Sequence, residues 1–330
     1  MEMTSPIRWG ILACGGIARK FADDLAFVKD GYLAAVSSRD LGRAKEFASH
    51  YGEEVKTYGS YEEMLASGEI DVVYIASPHG LHHEHTLMCL EAGLPVLCEK
   101  AFAINSKQVR EMVEMAQTKK IYLMEALWTR FHPSIAKVLE ILKSGAIGDV
   151  VHLVADFGFK ADYIPEARWF NPELTGGSLL DIGIYPLFIS KLVLGLPQEL
   201  KATGVFAPTG VDMNCSISAK YASGATSSLF STFAAQTDTT CTIYGTLGKI
   251  FMHSRFHETK GLTLEIYGED PIVMETERLG WGYSYEAEAV QADLRAGKLQ
   301  NDWISHQYSL EMMGLLDEIR RQIGLVYPNE

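Results

Sequence analysis

Three side chains of this 330-residue chain could together move a proton: Lys100, Asp181 and Tyr185. Lys100 stands in Cys98-Glu99-Lys100-Ala101, at the end of an apolar run that reads as a β-strand. Asp181 and Tyr185 are four residues apart in a glycine-rich stretch, a spacing that puts them on one face of a helix, although Pro186 restricts the turn there. A phenol with a pKa near ~10 is a weak base at neutral pH. A neighbouring ammonium favours phenolate, and a tyrosine tuned in that way can take a hydroxyl proton while a hydride leaves the carbon. Asp181 would then position the substrate or the lysine. Taken singly each residue has a plainer reading, because strand-end lysines are ordinarily solvated and tyrosines ordinarily pack in a core.

Hydride transfer needs a cofactor, and a loop suited to one follows the first apolar run. Ala13-Cys14-Gly15-Gly16-Ile17-Ala18 reads as G-x-G-x-x-A with alanine for the first glycine. Small residues let the backbone approach a pyrophosphate, whose charge is met by amides at the following helix N-terminus, so Ala13, Gly15, Gly16 and Ile17 are the expected contacts. An NAD-preferring site usually carries an acidic residue about 20 residues on, at the second strand's end. Here the strand ends Ser37-Ser38-Arg39. Ser38 and Arg39 suit a 2′-phosphate, with Arg43 one turn later, so NADP is the expected cofactor. NAD stays possible, since a strand end misplaced by one residue would make Asp40 the ribose ligand.

The elements that must position these groups fall into two kinds. From Ile7 to Ala126, short apolar runs alternate with amphipathic segments: runs at 7–13, 32–37, 72–76, 94–98 and 121–126, and helices at 17–26, 41–51, 60–66, 81–92 and 106–119. That alternation predicts a doubly wound, mainly parallel α/β sheet over residues 1–126. Ser60 with Glu63 and Asn105 with Gln108 are spaced as helix starts. After a helical stretch near 132–144, residues 127–330 turn to strand-rich segments at 150–159, 201–206, 214–222, 226–234, 240–244, 249–252 and 263–267, with a last helix at 309–323. This half is expected to be an α+β domain with a large, mostly antiparallel open sheet, holding the substrate site and, on the sheet's open face, the contact of a homodimer or higher homo-oligomer.

The composition narrows the classes of function. A net charge of −13 argues against sequence-independent nucleic-acid binding. Five cysteines without a C-x-x-C pair suggest neither a disulfide framework nor a zinc knuckle and fit a cytoplasmic setting. The N-terminus lacks the pattern of a secretory leader, and no run of 18 apolar residues occurs, so neither export nor a membrane span is expected. His82 and His85 could share a helix face, but a third ligand is wanting and no metal is expected.

Several motifs together resemble the Gfo/Idh/MocA family of pyridine-nucleotide oxidoreductases. Glu99-Lys100-Ala101 is similar to its Glu-Lys-Pro motif, with alanine for proline. Gly176-Gly177-Ser178-Leu179-Leu180-Asp181-Ile182-Gly183-Ile184-Tyr185 resembles its glycine-rich segment, with Tyr185 at the usual histidine position. That replacement, with Leu127-Trp128-Thr129-Arg130-Phe131 and Arg168-Trp169-Phe170, resembles the branch of dimeric dihydrodiol and NADP-dependent D-xylose dehydrogenases. The resemblance implies that Glu99, Lys100, Ser77, His79 and His82 border the cofactor, and that Trp128 and Phe157 line the substrate pocket, to which Tyr283 is added as a further aromatic. It implies oxidation of a secondary alcohol or hemiacetal C1 hydroxyl, of a sugar or of a trans-dihydrodiol. Lys100 ends a strand of the first half and Tyr185 belongs to the second, so the active site is expected between the halves. The competing reading is a non-catalytic NADP-binding regulator, which has no use for Lys100 and Tyr185.

Overall fold

Residues 5–328 and 330 are described by a computed structural model. Met1–Thr4, the start of the stretch read above for a leader, lie outside the described residues. The chain divides into two units.

The first unit begins with alternating strands β1 (Ile7–Leu12), β2 (Gly31–Ser37), β3 (Lys56–Tyr58), β4 (Val72–Ile75), β5 (Val96–Glu99) and β6 (Leu123–Ala126). Helices α1 (Gly16–Asp24), α2 (Leu41–Ala48), α3 (Tyr61–Leu65), α4 (His82–Glu91) and α5 (Ser106–Lys119) lie between them. All six strands pair in parallel in the order β3-β2-β1-β4-β5-β6. Strand order therefore reverses between β1 and β4, and the loops leaving those two strands flank the crevice where a doubly wound sheet takes its ligand. β4 and β5 are buried throughout, as strands covered on both faces must be. The predicted helix starts are real caps: Ser60 Oγ accepts from Glu63 N at 3.2 Å and Asn105 Oδ1 from Gln108 N at 3.0 Å. The three-residue β3 was not expected, because Lys-Thr-Tyr is too short to show a period.

The second unit contains α6 (Pro133–Ser144), β7 (Val150–Gly158), α7 (Ile184–Leu194), β8 (Pro197–Phe206), β9 (Asp212–Tyr221), β10 (Thr226–Thr232), β11 (Cys241–Gly245), β12 (Gly248–Met252), β13 (Gly261–Ile266) and β14 (Ile272–Glu275). Eight strands form one sheet in the order β14-β13-β12-β11-β7-β10-β9-β8. Every pair is antiparallel except β7 with β10. α7 lies against β7 and β10 and is buried from Ile184 to Lys191, so its apolar stretch serves the core of this unit. β9 alternates buried and solvent-facing residues along its second half, which leaves the other face of the sheet open.

The expected division at residue 126 differs from the observed one at its far end. Leu279–Met313, with helix α8 (Ser284–Arg295) and the start of α9 (His306–Ile323), belongs to the first unit, while the second resumes at Gly314. α8 was not expected as an element. Its buried face is Ser284, Glu286, Ala287, Val290, Gln291 and Asp293, a set too small and polar to draw an apolar stripe in the sequence.

Candidate active site

In the first unit, β1 runs into the glycine loop. Ala13 adopts φ +76, a left-handed conformation that favours glycine, at the position where the fingerprint has one. Gly15 is the N-cap of α1 and no side chain caps this helix, so its first amides are left for an anion. Nothing lies within 4 Å of where a Cβ on Gly16 would stand. The small residues thus leave open space in front of a helix N-terminus, as a pyrophosphate requires.

β2 ends at Ser37, which puts Ser38 and Arg39 directly beyond the strand. Asp40 is the N-cap of α2, accepting from Gly42 N at 2.7 Å and Arg43 N at 3.3 Å. Both bonds fall on Oδ1 of this exposed side chain. Ser38 Oγ accepts from Asp40 N at 3.3 Å. Arg39 is exposed.

Beyond β4 and β5 stand the other first-unit candidates. Glu99 is buried and accepts from the hydroxyl of Tyr74 and from the backbone amide of Lys100, the latter at 3.2 Å. Burial, and then the Glu99 carboxylate, push the Tyr74 phenol far above its ordinary pKa, so it stays a donor. Lys100 is half-buried, and its peptide bond to Ala101 is cis. Ser77 Oγ lies 2.9 Å from His85 Nδ1. His79 is buried, its ring 5.6 Å from that of His82.

His82 opens α4. It is 0% exposed, with Nδ1 and Nε2 each 2.8 Å from a backbone carbonyl, of Ala101 and Ser77 respectively. Burial pushes its pKa down to about 4, against the pull of the two carbonyls, and we favour the neutral ring donating to one of them. His82 pins the Ala101 and Ser77 loops together. Trp128 and Tyr283 stack, with ring centroids 4.6 Å apart at 18°. Among the described residues, no three His, Cys, Asp or Glu side chains gather as a metal site.

The second unit holds the glycine-rich segment. Leu179–Gly183 form a π-turn that leads into α7, so Asp181 lies in the wide turn and Tyr185 in the first turn of the α-helix. Pro186 has no N–H for the bond back to Ile182, and the wider winding before it absorbs the missing bond. The glycines are set by close approach. A Cβ on Gly176 would stand 2.8 Å from the carbonyl oxygens of both Arg168 and Trp169, and one on Gly177, at φ +115, would stand 2.2 Å from Asp212 Oδ1. Asp181 is buried and ion-paired, Arg168 Nη2 donating to its Oδ1 at 2.8 Å.

Tyr185 belongs to an aromatic cluster with Phe157, at 5.6 Å between ring centroids, and with His257, at 4.9 Å. Phe157 and His257 stack on each other at 4.5 Å and 20°. Sequence reasoning missed His257, and it missed Asp212 and Tyr327, which hold the glycine-rich segment from elsewhere in the chain. Tyr327 donates to Gly176 O at 2.7 Å. Asp212 accepts from Ser178 Oγ at 2.8 Å and Leu179 N at 2.7 Å. No local pattern marks these three; Arg168 alone stood within a quoted motif. Asp181, Tyr185 and Phe157 are thus brought together in the second unit, and the remaining candidates lie in the first.

Comparison with known proteins agrees with this geometry. Residues 7–127 match the family model described as the oxidoreductase family with an NAD-binding Rossmann fold, and residues 135–251 match the GFO/IDH/MocA C-terminal domain. A mouse trans-1,2-dihydrobenzene-1,2-diol dehydrogenase is 34% identical over 98% of this chain and 99% of its own. An NADP(+) D-xylose 1-dehydrogenase from Hypocrea jecorina is also 34% identical, over 98% and 93%. Among solved structures, a 3-ketoreductase from Actinomadura kijaniata in complex with NADP superimposes with a TM-score of 0.88 at 24% identity, covering 97% of this chain and 98% of its own, a likeness of fold. With both domain models matched and full-length relatives at 34% identity, the chain belongs to the Gfo/Idh/MocA family of oxidoreductases.

Proposed function

We propose that this protein is an NADP-dependent dehydrogenase that oxidises a secondary alcohol or hemiacetal C1 hydroxyl, of an aldose such as D-xylose or of a trans-dihydrodiol. One observation carries the reading: the chain combines an uncapped helix start behind Gly15 and Gly16 with a buried Asp181 and Tyr185 on successive turns. Relatives named as dihydrodiol and D-xylose dehydrogenases support it.

NADP fits the residues present. Ala13, Gly15, Gly16 and Ile17 would hold the pyrophosphate, Ser38 and Arg39 the 2′-phosphate, and Ser77, His79, Glu99 and Lys100 the nicotinamide half. When bound, NADP would supply the hydride acceptor. Tyr185 takes the hydroxyl proton. Lys100 supplies positive charge that favours phenolate and steadies the developing alkoxide. Asp181, held by Arg168, orients the substrate hydroxyl. Trp128, Tyr283 and Phe157 offer aromatic faces to a diol ring or to the apolar face of a sugar.

The same reading extends to assembly and location. The open face of the second unit's sheet carries Val154, Val205 and Tyr244, each more than a third exposed, and we assign it to a second copy of the chain. Five free cysteines suit the cytoplasm.

The test is purified protein with NADP or NAD, reduced-nicotinamide absorbance, and a panel of aldoses, inositols and dihydrodiols. NADP reduction with an aldose or dihydrodiol is expected. Silence across the panel with nucleotide binding intact would overturn the enzyme reading in favour of a regulator. Light scattering after size exclusion should give twice the chain mass of 36.6 kDa, and a monomer would remove the dimer.

A further inference from the structure

The glycine-rich segment is gripped from two directions by residues far from it in sequence. Asp212 opens β9, is 0% exposed, and accepts two hydrogen bonds from the segment through Oδ2, from Ser178 Oγ and Leu179 N. Ser178 Oγ lies 3.0 Å from buried Ser231 Oγ on β10, so the carboxylate is tied to the sheet through the same hydroxyl. Its other oxygen, Oδ1, sits where a Cβ on Gly177 would be and has no hydrogen-bond partner. Tyr327, in the tail beyond α9, is 3% exposed and donates to the carbonyl of Gly176. The guanidinium of Arg320 covers its ring at 4.8 Å from the centroid.

These contacts leave the segment little freedom. Gly176 O is fixed by Tyr327 and the amide of Leu179 by Asp212, four consecutive residues bracketed between β9 and the C-terminal tail. The π-turn that carries Asp181, and then Tyr185, starts at the second of those fixed points. Removing the shared acceptor would leave two buried donors unpaired, and a shift of about 1 Å in a reacting group can cost a hundredfold in rate.

We propose that Asp212 and Tyr327 are positioning residues, which hold the Gly176–Leu179 turn and through it set where Asp181 and Tyr185 stand. The inference rests on the reading of Tyr185 as the proton acceptor. It adds that the reactive placement is set by β9 and the tail rather than by the segment itself.

The experiment compares Asp212→Ala, Asp212→Asn and Tyr327→Phe in the full-length enzyme, with kcat and KM for the alcohol, NADP dissociation constants by fluorescence, and Tyr185→Phe as control. Asp212→Ala is expected to lower kcat at least tenfold and raise the alcohol KM, with the NADP constant within about twofold. Asp212→Asn, whose carbonyl accepts the same two bonds, should recover most of that loss. Tyr327→Phe, which removes one hydroxyl and keeps the ring, should lower kcat about threefold. An unchanged kcat in Tyr327→Phe, or an Asn variant as poor as the Ala variant, would overturn the proposal. If Asp212→Ala does not fold, Tyr327→Phe decides alone. Full turnover by Tyr185→Phe refutes the proton-acceptor reading instead, whatever the Asp212 and Tyr327 variants do.

Discussion

Arg168 and Asp181, thirteen residues apart, form an ion pair in which Nη2 donates to Oδ1 at 2.8 Å. The guanidinium also lies over the ring of Trp169, its own neighbour, with Cζ 4.1 Å from the centroid. The aspartate is buried and the arginine about half exposed, so the contact orients the carboxylate more than it stabilises the fold. Arg168→Met should lower kcat/KM about tenfold, the scale of one charge-assisted hydrogen bond, with the melting temperature nearly unchanged. Combining it with Asp181→Asn should add less than the sum of the single effects, because both remove the same contact. Full additivity in steady-state kinetics would sever Arg168 from Asp181.

Lys100→Met and Tyr185→Phe should each reduce turnover by about a hundredfold or more, the usual range for lost acid–base and electrostatic contributions. Fluorescence titration should find NADP affinity within a few fold of the parent. Unchanged turnover in either variant would remove that residue from the chemistry.

The proposed 2′-phosphate site gives the adjacent Arg39 and Asp40 separate tasks. Arg39→Ala should weaken NADP about tenfold and leave NAD binding nearly as it was, since only the 2′-phosphate loses a charged donor. Asp40→Ala should leave the NADP to NAD ratio alone and cost about 1 kcal/mol of stability through the lost cap of α2. Paired dissociation constants and urea unfolding separate the two, and a changed cofactor ratio in the Asp40 variant would return that carboxylate to the ribose.

Burial raises the Glu125 carboxyl from its ordinary 4.5 to about 7. Between those values the folded chain binds more protons than the unfolded chain, so this group's contribution to stability falls as pH rises and levels off above about 7. Glutamine does not titrate and keeps an acceptor for the amide of Phe102, which donates to Glu125 Oε1 at 3.2 Å. Glu125→Gln should therefore gain about 2 kcal/mol relative to the parent between pH 5 and 7.5, at 1.4 kcal/mol for each pH unit of displaced titration. Urea unfolding at the two pH values checks the sign, and a constant difference would mean that Glu125 ionises normally.

Much of the fold and half of the site can be read along the chain. The alternation of apolar runs and amphipathic segments announces the parallel sheet, and the run that ends at Ser37 puts Ser38 and Arg39 directly beyond β2. The spacing of Asp181 and Tyr185 puts them on successive turns. These are local properties, carried by side-chain period, turn residues and motif order, and the motifs name the family and with it the oxidoreductase chemistry.

Tertiary packing decided the rest, for reasons no window of sequence holds. Whether Asp40 faces a ribose or caps α2 depends on one rotation of a side chain. The two carbonyls that hold the ring of His82, of Ala101 and Ser77, are met only in the folded chain. α8 lacks an apolar stripe because it buries Ser284, Glu286 and Gln291, and its return to the first unit is a long-range event. Gly176 and Gly177 are recognisable in the sequence as a motif, but the reason they must be glycine, the backbone of Arg168 and Trp169 and the carboxylate of Asp212, comes from distant segments. Burial and hydrogen-bond partners are made by residues tens of positions apart, so the sequence alone determined which chemistry this protein carries, and only the folded chain decided which side chains hold that chemistry in place.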